Sequence, residues 1–141
     1  MTGLLTALLD TMLPGDGSDW PAAGAHGLAA RLQELVAGVP DGPKGLTTVL
    51  TALPKGFADL DQDHREVALR AIETDMPQPF DAVVTAAYNA YYTDPAVRDV
   101  IERLTGYENR PPQPEGYTLE PFDESLLDKV KARGRIWRPV D

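Results

Sequence analysis

The side chains able to do acid–base or metal chemistry are few and poorly spaced. There are two histidines, His26 and His64. A metal site on a helix needs a second ligand one turn away, and neither histidine has a ligand-type residue at i+4. Both are read as surface or helix-terminal histidines. The run "DLDQDHREVALR" from Asp59 places acids at relative positions 1, 3 and 5, as a calcium loop does. It departs where that geometry is strictest. The sharp turn at position 6 calls for glycine and finds His64, and the bidentate glutamate at position 12 is Arg70. The pattern is that of a helix start with solvated carboxylates. "DGSD" at 16–19 reads as a turn.

No nucleophile elbow, phosphate loop or dinucleotide fingerprint occurs. The chain has no cysteine, which excludes disulfides, thiolate metal sites, iron–sulfur clusters, thiol nucleophiles and covalent c-type haem attachment. Catalysis needs a nucleophile, a base and an orienting group that converge, and the sequence nominates no such set. The expectation is that this chain carries no catalytic, cofactor-binding or metal-binding residue of its own.

The elements that would position any site are short helices separated by proline and glycine. Leu4, Leu5, Leu8, Leu9 and Met12 form one stripe over 3–13, stopped by Pro14-Gly15. Asp19 is a candidate cap before Pro21, near the next helix start. Leu28, Leu32, Leu35 and Val36 recur at helical spacing in that second helix. A third helix covers roughly 44–53. Asp63 and Glu66 form a capping box for a fourth, which runs to about Met76. Pro77 and Pro79 punctuate it. Phe80, Val83, Val84, Ala87, Tyr88 and Tyr91 give a fifth helix, with Tyr88 and Tyr91 expected in the core. Asp94 caps a sixth, with Pro95 at its first position. Val97, Val100, Ile101 and Leu104 are its stripe, and Gly106 ends it. A last helix spans about 123–133, capped by Asp123 and closed by Gly134, and "RIWRPVD" follows as extended chain. No segment alternates long enough for a strand. The expected fold is all-α: a single domain of six or seven short helices, with a core at 1–106 and an extended proline-rich arm at 107–141 belonging to the same domain.

At 141 residues the chain is long enough to bury a core without metal or disulfide. Its net charge of −9 disfavours general binding to nucleic acid or an anionic membrane, and no apolar run reaches the length of a membrane span. The apolar N-terminus lacks the positive start of a secretory signal, since the first basic residue is Arg31. A cytoplasmic location is expected, or a periplasmic one if the chain travels with a partner or was supplied in mature form. The charge is uneven. Lys129, Lys131, Arg133, Arg135 and Arg138 stand against Asp141 alone in the last thirteen residues, which sum to +4 and leave −13 for the rest. This is either a solvated helix end that suits the helix dipole or a basic tail seated on an acidic groove of another protein.

The segment "GYENRPPQPEGYTLEPF", residues 106–122, is too rich in proline for a helix or a central strand. Restricted chain of this kind loses little entropy on docking. Tyrosine, tryptophan and arginine are the residues that anchor interfaces. Tyr92, Tyr107, Tyr117 and Trp137 lie off clean helical stripes. With Arg110, Pro111, Pro112, Pro114, Phe122, Arg135 and Arg138 they form the candidate partner interface. Packing of the arm on its own helices is the alternative, and the two are compatible.

Two segments resemble the gluconate 2-dehydrogenase subunit 3 family. In "LLDTMLPGDGSDWPAAGAHGL" the similarity falls on Leu8, Leu9, Met12, Leu13, Pro14, Gly15 and Asp16. In "FDAVVTAAYNAYYTDPAVRDVIERLTGY" it falls on Tyr91, Tyr92, Asp94, Pro95, Gly106 and Tyr107. The resemblance implies a small accessory subunit of FAD-dependent sugar or alcohol dehydrogenases of the glucose–methanol–choline type. FAD and the hydride chemistry would reside on the large partner subunit, which this chain would bind and stabilise. The chain departs from many family members in lacking a twin-arginine export signal, and any haem would sit on a third chain. Two other readings stay open: a self-associating helical adaptor, and a small independent enzyme with a carboxylate and tyrosine pocket.

Overall fold

A computed structural model describes residues 2–110, 116 and 120–134. The described chain is all-α. Its helices are α1 (Thr2–Met12), α2 (Ala29–Ala37), α3 (Gly42–Ala52), α4 (Gln62–Asp75), α5 (Pro77–Tyr92), α6 (Pro95–Thr105) and α7 (Asp128–Arg133), with 3-10 turns at Phe57–Asp59 and Glu124–Leu127. It divides into two compact units, 1–109 and 110–141. The readings of the proline run at 111–115, of residues 117–119 and of the extended "RIWRPVD" lie outside the described residues.

In the first unit α5 is the central helix, packed against α2, α3, α4 and α6, while α1 lies on α2, α4 and the 57–59 turn. The face that α5 buries is Phe80, Val83, Ala86, Ala87, Ala90 and Tyr91. Three alanines on that face let neighbouring helices approach closely. Leu8, Leu9, Leu32, Val49, Phe57, Val83 and Val97 are the largest fully buried side chains, each worth roughly 1.5–3 kcal/mol of transfer free energy. Phe57 reaches the core from a single 3-10 turn, which follows Gly56 in the left-handed region (φ 75°).

Several local signals act as the sequence predicts. Asp94 accepts from the Ala96 and Val97 amides with Pro95 in the first turn, and Gly106 closes α6 with φ 72°. Asp123 accepts from the Ser125 amide and Gly134 follows Arg133, although the predicted last helix splits into a 3-10 turn and a short α-helix.

Other expectations are corrected. The cap of α4 is Asp61, which accepts from the His64 amide at 2.9 Å. Asp63 and Glu66 lie inside the helix, and Glu66 accepts from Gln62 Nε2 at 3.0 Å. Pro77 and Pro79 occupy the first turn of α5 instead of separating it from α4. Proline fits there because those amides have no intrahelical acceptor, and Met76 alone is the hinge. Asp19 caps no helix, because 23–28 is turn and α2 begins only at Ala29. Tyr88, expected in the core, is 48% exposed. The buried face runs through the alanines, which turns Tyr88 to the edge. Leu104 is likewise exposed, one turn beyond the point where α6 leaves the core.

The Asp61 cap carries a pH dependence. Its Oδ1 also lies 2.7 Å from His64 Nδ1. Hydrogen bonding to Asp61 raises the His64 pKa above its ordinary 6.5. The His64 amide and ring hold Asp61 below its ordinary 3.8. The raised histidine stabilises the fold fully below 6.5, and that contribution is lost as pH rises through its folded value. The depressed aspartate contributes above 3.8 and loses it as pH falls. The pair is therefore fully in place between those values. Because both groups are exposed, the expected readout is the titration itself. The His64 ring proton should titrate above 6.5 by NMR and return toward 6.5 in Asp61→Asn. No movement of that midpoint would overturn the assignment.

Candidate protein-docking surface

The loop after α1 is built by backbone capture. Asp10, on the last turn of α1, accepts from the amides of Gly24 (2.7 Å) and Ala25 (3.0 Å) through Oδ1. Gly24 sits so close to α1 that a Cβ there would overlap the Thr6 carbonyl. Within the loop Asp16 Oδ1 accepts from the amides of Ser18 and Trp20, both at 2.9 Å, and these amides hold its carboxyl below the ordinary range. Gly15 precedes it at φ 71°.

Three polar contacts join this loop to α5 and α6. Tyr91 Oη donates to the Pro21 carbonyl at 2.8 Å. Burial pushes the Tyr91 hydroxyl above its ordinary range, which keeps it protonated as a donor. His26 Nε2 lies 3.0 Å from Asp94 Oδ1, the carboxylate that caps α6. Arg103 pairs with Asp19 at 2.5 Å. The two sequence segments singled out above, some 70 residues apart, thus meet in space.

Beside this junction the ring of Tyr92 stands edge-on to Tyr91 (5.3 Å, 90°) and 6.1 Å from Tyr88. Tyr88 and Tyr92 are one turn apart on the exposed edge of α5. A small cleft of about 160 Å³ opens between Tyr92, Arg98, Ile101, Tyr107 and Asn109. Arg98 is held there by Asn109, whose backbone carbonyl accepts at 3.4 Å and whose side-chain amide, once oriented with its oxygen toward the guanidinium, accepts from it as well. Exposed tyrosines around an oriented arginine are chemically suited to a partner's proline, aromatic or carboxylate group.

Of the candidate interface residues, Tyr92 and Tyr107 are therefore brought together. In the second unit Arg110 Nη2 donates to the Gly116 carbonyl at 2.9 Å, and Phe122 is exposed. Pro111, Pro112, Pro114, Tyr117, Arg135, Trp137 and Arg138 lie outside the described residues. Arg98 and Asn109 join the surface without having been singled out, and Tyr88 joins it although it was expected in the core. The i, i+4 spacing of Tyr88 and Tyr92 is the signal that could have found one of them.

A second, larger concavity of about 450 Å³ lies between α1, α4 and α5. Met12, Leu69, Phe80, Val84 and Ala87 line it, with Glu66, Arg70, Glu73 and Tyr88 among its polar residues. Glu66 is engaged by Gln62 and, at 3.7 Å, by Arg70. Among the described residues no group of three histidine, cysteine or carboxylate side chains is placed to hold a metal, and no helix is long and apolar enough to cross a membrane. Compared with protein-family models, curated proteins and solved structures, the chain matches none of them.

Proposed function

We propose that this chain is a non-catalytic small subunit that binds and stabilises a large FAD-dependent sugar or alcohol oxidoreductase subunit. The observation that supports the reading is the junction of the two segments that resemble the gluconate 2-dehydrogenase subunit 3 family. Tyr91 and Asp94 of one hold Pro21 and His26 of the other, and the exposed Tyr92–Tyr107 cleft opens next to them. A side chain array that fixes a loop and leaves tyrosines outward suits binding better than turnover. FAD would belong to the partner. The complex would form in the cytoplasm, or in the periplasm after export with that partner.

Affinity purification of the tagged chain from its native host tests this. A complex with flavin absorbance and a large FAD-dependent oxidoreductase identified by mass spectrometry is expected. Recovery of the chain without any flavoprotein would overturn the reading.

A second reading, a small independent enzyme, is favoured by one feature, the cleft between α1, α4 and α5 with Glu66, Glu73 and Tyr88 around an apolar floor. It requires a turnover lost in Glu73→Gln, measured on the isolated chain.

A further inference from the structure

The cleft of about 450 Å³ between α1, α4 and α5 has the size of a small-molecule site. Its floor is the outer layer of the core. Leu69, Phe80 and Ala87 are buried there, and Met12 and Val84 are half-buried hydrophobics packed against the core. The polar residues around the floor are not equivalent. The Thr11 hydroxyl donates to the Ala7 carbonyl at 2.6 Å. Glu66 is taken up by Gln62 and by Arg70, so the Arg70 charge is already offset. Among the described residues no hydrogen bond or ion pair engages Glu73 or the hydroxyl of the half-exposed Tyr88. The cleft therefore keeps one uncompensated carboxylate and one exposed aromatic ring beside an apolar floor. The wider charge has the same sign. Residues 1–109 hold sixteen carboxylates against seven Lys or Arg, so this unit carries the whole −9 and the remaining residues sum to zero.

We propose that this cleft binds an amphipathic monocation of the alkylammonium type, with Glu73 as its counter-ion. The inference is independent of the flavoprotein partner and requires no turnover. Charge and polarity select the ligand class. The floor takes the apolar body out of water. Glu73 pairs with the ammonium group, and the Tyr88 ring offers its face to the same charge. The negative field of the unit raises the local concentration of cations. An anion of the same shape would meet Glu73 and that field, with a guanidinium already shared with Glu66. A neutral apolar molecule would gain the floor alone and would desolvate Glu73 without supplying a partner.

The test titrates octylamine, a cation at neutral pH, into the full chain and follows the amide NMR shifts. Octanoate and octanol are the anionic and neutral counterparts of the same length. Saturable shifts centred on Leu69, Glu73, Val84 and Ala87 are expected. Octanol should bind about fivefold more weakly than octylamine, and octanoate about tenfold or more. Glu73→Gln should weaken octylamine about fivefold, as for loss of one partly exposed charge pair, and leave octanol unchanged. Tyr88→Leu should weaken octylamine about threefold. Val84→Trp fills the floor and should abolish binding of all three. Glu102→Gln, on α6 outside the cleft, should change nothing. Melting midpoints by circular dichroism check that each variant keeps the fold. Equal affinity for octylamine and octanol, or an unchanged affinity in Glu73→Gln, would overturn the assignment. So would shifts that spread over the acidic surface without saturating, which report general charge attraction. Tighter binding of octanoate would give the cleft to Arg70 and replace the ligand class. Recovery of the flavoprotein is a separate measurement, and failure of either result leaves the other standing.

Discussion

Gly24→Ala is expected to destabilise the protein by about 3 kcal/mol, the upper part of the range for overpacking a close contact. The new Cβ would overlap the Thr6 carbonyl of α1 and crowd the Asp10 side chain. Neither backbone can yield cheaply. The Thr6 carbonyl belongs to a helix, and the Gly24 amide is one of the two groups held by Asp10. Pushing the loop away breaks charge-assisted hydrogen bonds, each worth about 1.5–3 kcal/mol, and withdraws Pro21 from Tyr91. For a domain of this size the melting midpoint should fall by roughly 10 °C or more. Gly3→Ala is the control. Gly3 is in α1 with nothing within 4 Å of its Cβ position, so alanine should stabilise by about 0.5–1 kcal/mol. Equal melting of Gly24→Ala and wild type would show that the loop is not held against α1 as described.

Deleting residues 110–141 is expected to leave the first unit folded and to abolish recovery of the flavoprotein. Among the described residues every buried hydrophobic lies between Leu5 and Val100. Asn109 is retained, so the Arg98 contact that shapes the tyrosine cleft is kept. The melting midpoint should stay within about 2 °C of the full chain, since the deletion removes no fully buried hydrophobic side chain among the described residues. Binding should fall below detection, because the candidate interface residues from Arg110 to Arg138 go together. Unfolding on truncation would instead make the arm a structural part of the core. A truncated chain that still binds would confine the interface to Tyr92, Tyr107 and their neighbours.

These two experiments separate two kinds of surface that the sequence treats alike. Tyr88 and Tyr91 stand on the same predicted stripe, yet one is at the exposed edge of α5 and the other is buried with its hydroxyl on Pro21. Periodicity assigns a face only to within about one residue in a turn. The position of the centre of that face depends on which helices pack there; α2, α3, α4 and α6 all pack on α5, and the buried face runs through Ala86, Ala87 and Ala90.

What the sequence by itself determined was local. The all-α class follows from apolar spacing. The α6 boundaries follow from Asp94-Pro95 and Gly106, and the α7 region from Asp123 and Gly134, because caps and left-handed glycines act within a few residues of chain. The off-stripe positions of Tyr92 and Tyr107 were legible for the same reason. The choice of Asp61 over Asp63 as cap was not, since both are acids near one helix start and tertiary packing sets where the helix begins. Gln62, the first residue after the cap, reaches back to the Thr11 carbonyl at 3.1 Å. Only the tertiary structure decided that Asp10 holds Gly24, that Tyr91 holds Pro21, and that Arg98 and Asn109 complete the cleft beside Tyr107. Those contacts join residues distant in sequence, and their geometry exists only once the core has fixed the helices in place.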